Sequence, residues 1–212
     1  MKIYDISMEI KQDMMVYKNK DEKRPRMQVN SDFSSGNSYE STLTLELHTG
    51  THMDAPLHMI PEGDTIDQQD LSKVVTACRV IDLSHVEDKI KKEHLEKKDI
   101  KQGEFLLLKT RNSLRQEDSS QNLQFDFDFV YLDKDGAEFL KDKGIIGVGI
   151  DSLGIERAQP EHDTHEILMG NKIVIIEGLV LKDILEGEYT LIALPLKIKN
   201  AEASPIRAVL LE

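Results

Sequence analysis

The segment His48-Thr49-Gly50-Thr51-His52-Met53-Asp54-Ala55-Pro56-Leu57-His58 gathers three of the chain's seven histidines around one aspartate. Imidazole and carboxylate donors together suit a divalent cation such as Zn²⁺, Mn²⁺ or Fe²⁺. On a helix, at about 100° per residue, His48 and His52 would share a face and Asp54 would not. On an extended chain, positions 48, 52, 54 and 58 have one parity and share a side. Gly50 and Pro56 also disfavour a helix. The segment therefore predicts a strand end whose side chains converge on a metal. Gly50 would leave room there for an ion or substrate against the backbone.

A second segment complements the first. Asp163-Thr164-His165-Glu166 reads as a helix start, with Asp163 as N-cap and Glu166 three residues on. Gly170 and Asn171 would end that helix. Residues 172–176 form an apolar strand ending on Glu177, a carboxylate that is costly to bury unless paired or metal-bound. A helix N-terminus favours neutral imidazole at His165, the form a metal needs. His162 lies one helical turn earlier and could share the same face; the residues alone do not separate the two. Asp151, ending the apolar run 145–150, is either an orienting partner of a metal ligand or an ordinary turn residue. Arg207 is either a partner for a substrate carboxylate or half of a surface ion pair.

Read as a pattern, the first segment is His-x-Gly-Thr-His-x-Asp-Ala-Pro-x-His. With Asp5-Ile6-Ser7, Gly149-Ile150-Asp151-Ser152, the His165…Glu177 pair, and Leu194-Pro195-Leu196-Lys197-Ile198 before Pro205-Ile206-Arg207-Ala208, it resembles the putative cyclase, or metal-dependent hydrolase, family. That family includes bacterial kynurenine formamidase and isatin hydrolase. The resemblance implies one α/β domain over residues 1–212, with a mixed sheet of the swivelling β/β/α type, assembled as a homodimer or larger homo-oligomer. It implies a divalent metal, zinc with manganese as the alternative, held by residues matching His48, His52, Asp54, His165 and Glu177. His58 matches the family's general acid/base, and the pattern selects His165 over His162. Where many members carry Pro-Gly-Asp after an aromatic near the N-terminus, this chain has Val16-Tyr17-Lys18-Asn19-Lys20, on the substrate side of the site.

Five ligands exceed the three that a catalytic zinc usually takes while keeping one position open. They suit two ions about 3.5–4 Å apart with Asp54 bridging, or one five-coordinate ion. The expected reaction is hydrolysis of an amide, N-formylkynurenine to kynurenine and formate, which belongs to tryptophan breakdown. Metal-bound water, its pKa brought from 15.7 towards about 7, would attack as hydroxide, and His58 would protonate the leaving amine. Ring opening of a cyclic amide or a lactone is the enzymatic alternative. A structural metal site in an interaction protein is the non-enzymatic one, although such sites are usually closed, four-coordinate and often built with cysteine.

The rest of the chain must position these residues. Its 212 residues suit a single domain. Acids outnumber bases 39 to 27, a net charge of −12, so phosphate is repelled and neither nucleic acid nor an anionic membrane is an expected partner. No run approaches the roughly 20 apolar residues of a membrane span. The N-terminus lacks the apolar stretch of a signal peptide, so a cytoplasmic protein is expected. Cys78, the lone cysteine, sits in an apolar run and reads as a buried hydrophobe. Residues 41–47 alternate, Leu43, Leu45 and Leu47 against Thr44, Glu46 and His48, which predicts a half-buried strand aiming His48 at the site. Residues 77–83, 105–109, 145–150, 190–196 and 207–211 read as further strands. Residues 87–97 read as a solvated helix, and 134–143 as a helix closed by Gly144. Polar stretches at 18–38, a loop or flap, and 111–124 complete a mixed α/β domain without a regular βαβ rhythm.

Overall fold

The computed structural model describes residues 1–117 and 124–212. In chain order the elements are β1 (Ile3–Asp5), β2 (Arg26–Ser31), β3 (Glu40–Thr44), β4 (His52–Asp54), β5 (Val75–Asp82), β6 (Lys89–Ile90), α1 (Lys92–Leu95), β7 (Phe105–Lys109), β8 (Tyr131–Leu132), α2 (Lys134–Lys143), β9 (Gly147–Ile150), α3 (Asp163–Gly170), β10 (Val174–Glu177), β11 (Gly187–Pro195) and β12 (Ala203–Leu211). The main sheet has eight strands in the order β1-β12-β11-β5-β7-β9-β10-β4, and β12 also pairs with β4. That pairing curls the sheet into a barrel-like ring. Strands β5, β7, β9 and β10 are mutually parallel, while β4, β11 and β1 pair antiparallel with their neighbours.

Side-chain alternation divides the apolar residues between two cores, because successive strand residues face opposite sides. Phe105, Leu107, Val174 and Ile176 point inside the ring, with Met53, Cys78 and Val80. Leu106, Leu108, Val148, Ile150 and Ile175 point outward and are covered by Leu95 of α1, Ala137 and Leu140 of α2, and Leu168 and Met169 of α3. Inside the ring, Gly147 leaves its side of the sheet to the Phe105 ring. A Cβ built at Gly147 would stand 2.1 Å from Phe105 Cε2.

Several expectations change. The parallel strands are joined through α1, α2 and α3, all on the outer face, so the middle of the chain does carry a βαβ rhythm. The short α1 and the added β6–β8 pair disguise it in the sequence. Residues 87–97 are not one solvated helix: Ile90 and Leu95 are buried anchors, and only Lys92–Leu95 is α-helical. Residues 41–47 are not a half-buried strand. β3 stops at Thr44 and, among the described residues, pairs only with β2 and has no layer over its face, so Leu43 is 48% exposed. The flap expected at 18–38 is this hairpin, preceded by short 3₁₀ turns at Tyr17–Asn19 and Asp21–Lys23. The polar stretch at 111–124 begins as a 3₁₀ turn, Arg111–Glu117, and its residues 118–123 lie outside the described residues. The helix at 134–143 and its Gly144 end, with φ 70°, are as expected. Cys78 is buried, and burial pushes its thiol up to about 12. Among the described residues, no helix is long and apolar enough to cross a membrane.

Gly147→Ala should destabilise the fold by about 1–3 kcal/mol through overpacking against Phe105. The check is the urea midpoint at unchanged slope; an unchanged midpoint would mean that the ring yields freely.

Candidate metal centre

β4 is three residues long and paired on both sides. Against β10, His52 lies opposite Glu177 and Asp54 opposite Ile175; against β12, Asp54 lies opposite Ala203. Met53 points into the ring, so His52 and Asp54 on either side of it point outward. Glu177, two residues after the outward Ile175, ends its strand on the same face. α3 lies over that face through Leu168 and Met169. His165, one turn before them, is turned the same way. His48 arrives from the loop before β4, and His58 from the 3₁₀ turn Pro56–His58.

All six sequence-expected residues meet there. His48 Nδ1 is 2.9 Å from Asp54 Oδ1. His52 Nε2 is 3.4 Å from Asp54 Oδ1 and 3.3 Å from Glu177 Oε2. His165 Nε2 is 3.6 Å from Asp54 Oδ2 and 3.4 Å from Glu177 Oε1. The His58 ring lies 4.2 Å from His48 and 5.7 Å from His165, centroid to centroid. Convergence comes by a different route from the one parity suggested. Only residues 52–54 are extended, and the chain turns on both sides of them.

Local backbone fixes the inner donors. His52 Nδ1 stands 2.9 Å from the Gly50 carbonyl. A carbonyl only accepts, so Nδ1 carries a proton and Nε2 is the ring atom turned to the cluster. Gly50, at φ +62°, does not make room for an ion. The space beside it is taken by Met14 and Met8, and its carbonyl meets Gly178, where a Cβ would lie 2.3 Å from that oxygen. Gly178, at φ +70°, directly follows Glu177, and its carbonyl accepts from the Thr51 hydroxyl at 2.5 Å. The two ligand-bearing turns are thus held together by the Thr51 hydroxyl and by close backbone packing of the two glycines.

Burial alone would raise both carboxylates and lower the histidines. Opposite charge outweighs it. The imidazoles hold Asp54 well below the carboxylate range and Glu177 at about 2. Glu177 and Asp54 push His52 up to about 9, and His165 well above its ordinary value. The helix N-terminus that would favour neutral His165 is overridden by Asp54, Glu156 and Glu177. His58 differs: burial lowers it. Despite the short distances, His52 Nε2, both Asp54 oxygens and His165 Nδ1 are buried without a directed hydrogen bond among the described residues. One donor atom each from His52, Asp54 and Glu177 lies within 4.8 Å of the others, as does one each from His48, Asp54 and His58. Imidazole nitrogens and carboxylate oxygens that converge without directed hydrogen bonds between them fit a divalent cation, which would displace the protons on His52 and His165.

Three further expectations resolve. Asp163 is not the N-cap: His162 holds that place at φ 53°, and Asp163 pairs with Lys134 at 2.7 Å. Asp151 is buried and accepts from the Thr110 and Ser113 amides and hydroxyls and from Asn112, bracing the turn after β7. Arg207 makes an exposed ion pair with Asp5. Glu156 was not expected. Its carboxylate is buried, 3.0 Å from His165 Nδ1 and 2.5 Å from His162 Nδ1. No local spacing signals it; only its acidity in the apolar run 153–155 hints at a partner.

The cluster opens on a cavity of about 740 Å³ whose far wall includes Tyr17, Phe125, Phe127 and Phe129. A family model described as putative cyclase matches residues 4–157. A kynurenine formamidase from Bacillus cereus (strain ATCC 10987 / NRS 248) is 38% identical over 179 residues, covering 83% of this chain and 81% of the relative. A solved structure described as a predicted metal-dependent hydrolase from Bacillus stearothermophilus is 44% identical with a TM-score of 0.87, covering 99% of this chain and 97% of that one. An isatin hydrolase A from Labrenzia aggregata, bound to benzyl benzoate, is 26% identical with a TM-score of 0.82, covering 99% and 93%. The family match runs from β1 through the His48–His58 segment and past β9, and with these relatives it establishes that the chain belongs to the putative cyclase family.

Proposed function

We propose that the protein is a metal-dependent hydrolase of carbon–nitrogen bonds acting on an aryl formamide of the N-formylkynurenine type. The observation that carries this reading is the convergence of half-buried His48 with buried His52, Asp54, His165 and Glu177 at the floor of an aromatic-walled cavity. The kinship with kynurenine formamidases supports the formamide. The donor set suits zinc, with manganese as the alternative, as one five-coordinate ion or two ions sharing Asp54. A divalent cation held there would polarise the substrate carbonyl and lower the pKa of a bound water to about 7.

The chain's own residues do the rest. Tyr17 and Phe125 meet edge to face at 5.0 Å, and Phe125 and Phe129 at 5.6 Å, giving an aryl ring apolar walls. Of the cations lining the cavity, Lys23 is engaged by Glu46, and Arg157 by Asp88 and Asp128. Lys18, 5.0 Å over the Tyr17 ring, supplies charge suited to a substrate carboxylate. His58 is half-buried at the edge of the donor cluster, and its lowered pKa leaves it neutral at pH 7. It takes a proton from the attacking water as the oxygen bonds the formyl carbon. The C–N bond then breaks with its electron pair on nitrogen, and His58 returns the proton there. Ring opening of a cyclic amide is the second reading, favoured by the likeness to isatin hydrolase A.

Protein stripped of metal by a chelator should lose hydrolysis of N-formylkynurenine and regain it with zinc or manganese. A folded, metal-loaded sample that is inactive on N-formylkynurenine but opens isatin would move the assignment to the second reading. His58→Ala should retain its metal content yet lose about 10²–10⁴ in rate. Loss of metal instead would make His58 a ligand.

A further inference from the structure

We infer that Glu156 is a positioning residue of the metal centre, holding His165 and the start of α3 so that Nε2 turns into the Asp54–Glu177 cluster. The inference rests on the metal-centre part of the proposed function and is independent of the substrate. Glu156 sits outside the five donors, on the segment that leaves β9. Its side chain is 5% exposed. Oε1 lies 3.0 Å from His165 Nδ1 and 2.5 Å from His162 Nδ1. Oε2 accepts the backbone N–H of Thr164 at 3.0 Å and of His165 at 3.3 Å, at the start of α3.

A carboxylate without a proton only accepts, so His162 must offer it an N–H. For His165, Oε1 places its charge 3.0 Å from Nδ1 without a directed hydrogen bond, while Nε2 faces Asp54 and Glu177 at 3.6 and 3.4 Å as the donor atom. The same carboxylate grips the His165 backbone, so ring and helix end are held together. The neighbouring residue acts on the other side of the centre: Ile155 donates its N–H to Glu177 Oε1 at 2.5 Å. Two consecutive residues therefore brace two proposed ligands from different elements. The brace is itself anchored, because Leu132 of β8 donates to the Ile155 carbonyl at 2.8 Å. Partners that orient a ligating histidine typically change metal affinity 10–100-fold when removed. His162 is the exposed outer end of this arrangement, with 54% of its side chain open to the cavity side. It touches Glu156 rather than the inner cluster.

The test is zinc affinity, read by competition with a chelating dye on metal-free protein. Glu156→Gln should bind zinc about 10–100-fold more weakly, whereas His162→Gln should stay within about threefold of the parent. Melting of the metal-free variants separates folding from affinity, since a merely structural Glu156 would lower the melting temperature and leave zinc affinity unchanged. Affinity of Glu156→Gln within twofold of the parent would overturn the inference. So would equal losses in both variants, which would make Glu156 and His162 ligands of the ion themselves. Should Glu156→Gln fail to fold, imidazole nitrogen NMR of the zinc-loaded parent decides. Metal at Nε2 of His165 is expected; metal at Nδ1 would refute the assignment.

Discussion

Two carboxylates, Asp54 and Glu177, are buried with their oxygens close together, and neither can remain there ionised without compensation. One oxygen of each lies within 4.8 Å of the other and of His52. At an effective dielectric of about 20, unit charges at that separation repel by roughly 3 kcal/mol, and each buried ion carries a desolvation cost of several kcal/mol besides. The surrounding histidines answer this constraint, and their raised affinity for protons expresses it. A site that draws protons onto His52 and His165 is one in which a divalent cation can replace them, with protons released as it binds.

The fold brings these acids together by pairing β4 with β10. β4 pairs with both β10 and β12, and the outward pair His52 and Asp54 thereby joins Glu177. α3, packed on the outer core, delivers His165 to the same edge. The close approach of Gly178 to Gly50 links the turns at both strand ends. The β4–β12 pairing closes the ring on the far side of β4 and fixes the strand that carries His52 and Asp54 between two neighbours.

Much of the centre was legible because its donors are local. His48, His52, Asp54 and His58 fall within one short segment, and Glu177 announces itself as an acid ending an apolar strand. The fold class followed from many short apolar runs separated by a few helices. Other features depend on tertiary context. The alternation at 41–47 promised a buried face, but alternation needs a covering layer, and β3 has only β2 beside it. Parity placed His48 and His58 correctly for a reason the turns on either side of β4 replace. Gly50 drew notice as room for an ion, whereas its conformation serves His52 and Gly178. Glu156 was invisible because its partners, His162, His165 and the start of α3, meet it only after folding.

Anomalous diffraction at the zinc edge, from crystals grown with zinc, tests the central claim most directly. The account predicts the strongest peak among His48, His52, Asp54, His165 and Glu177, with donor distances near 2.0–2.2 Å. A strongest peak at another place on the molecule, with these side chains bonded only to one another, would contradict it.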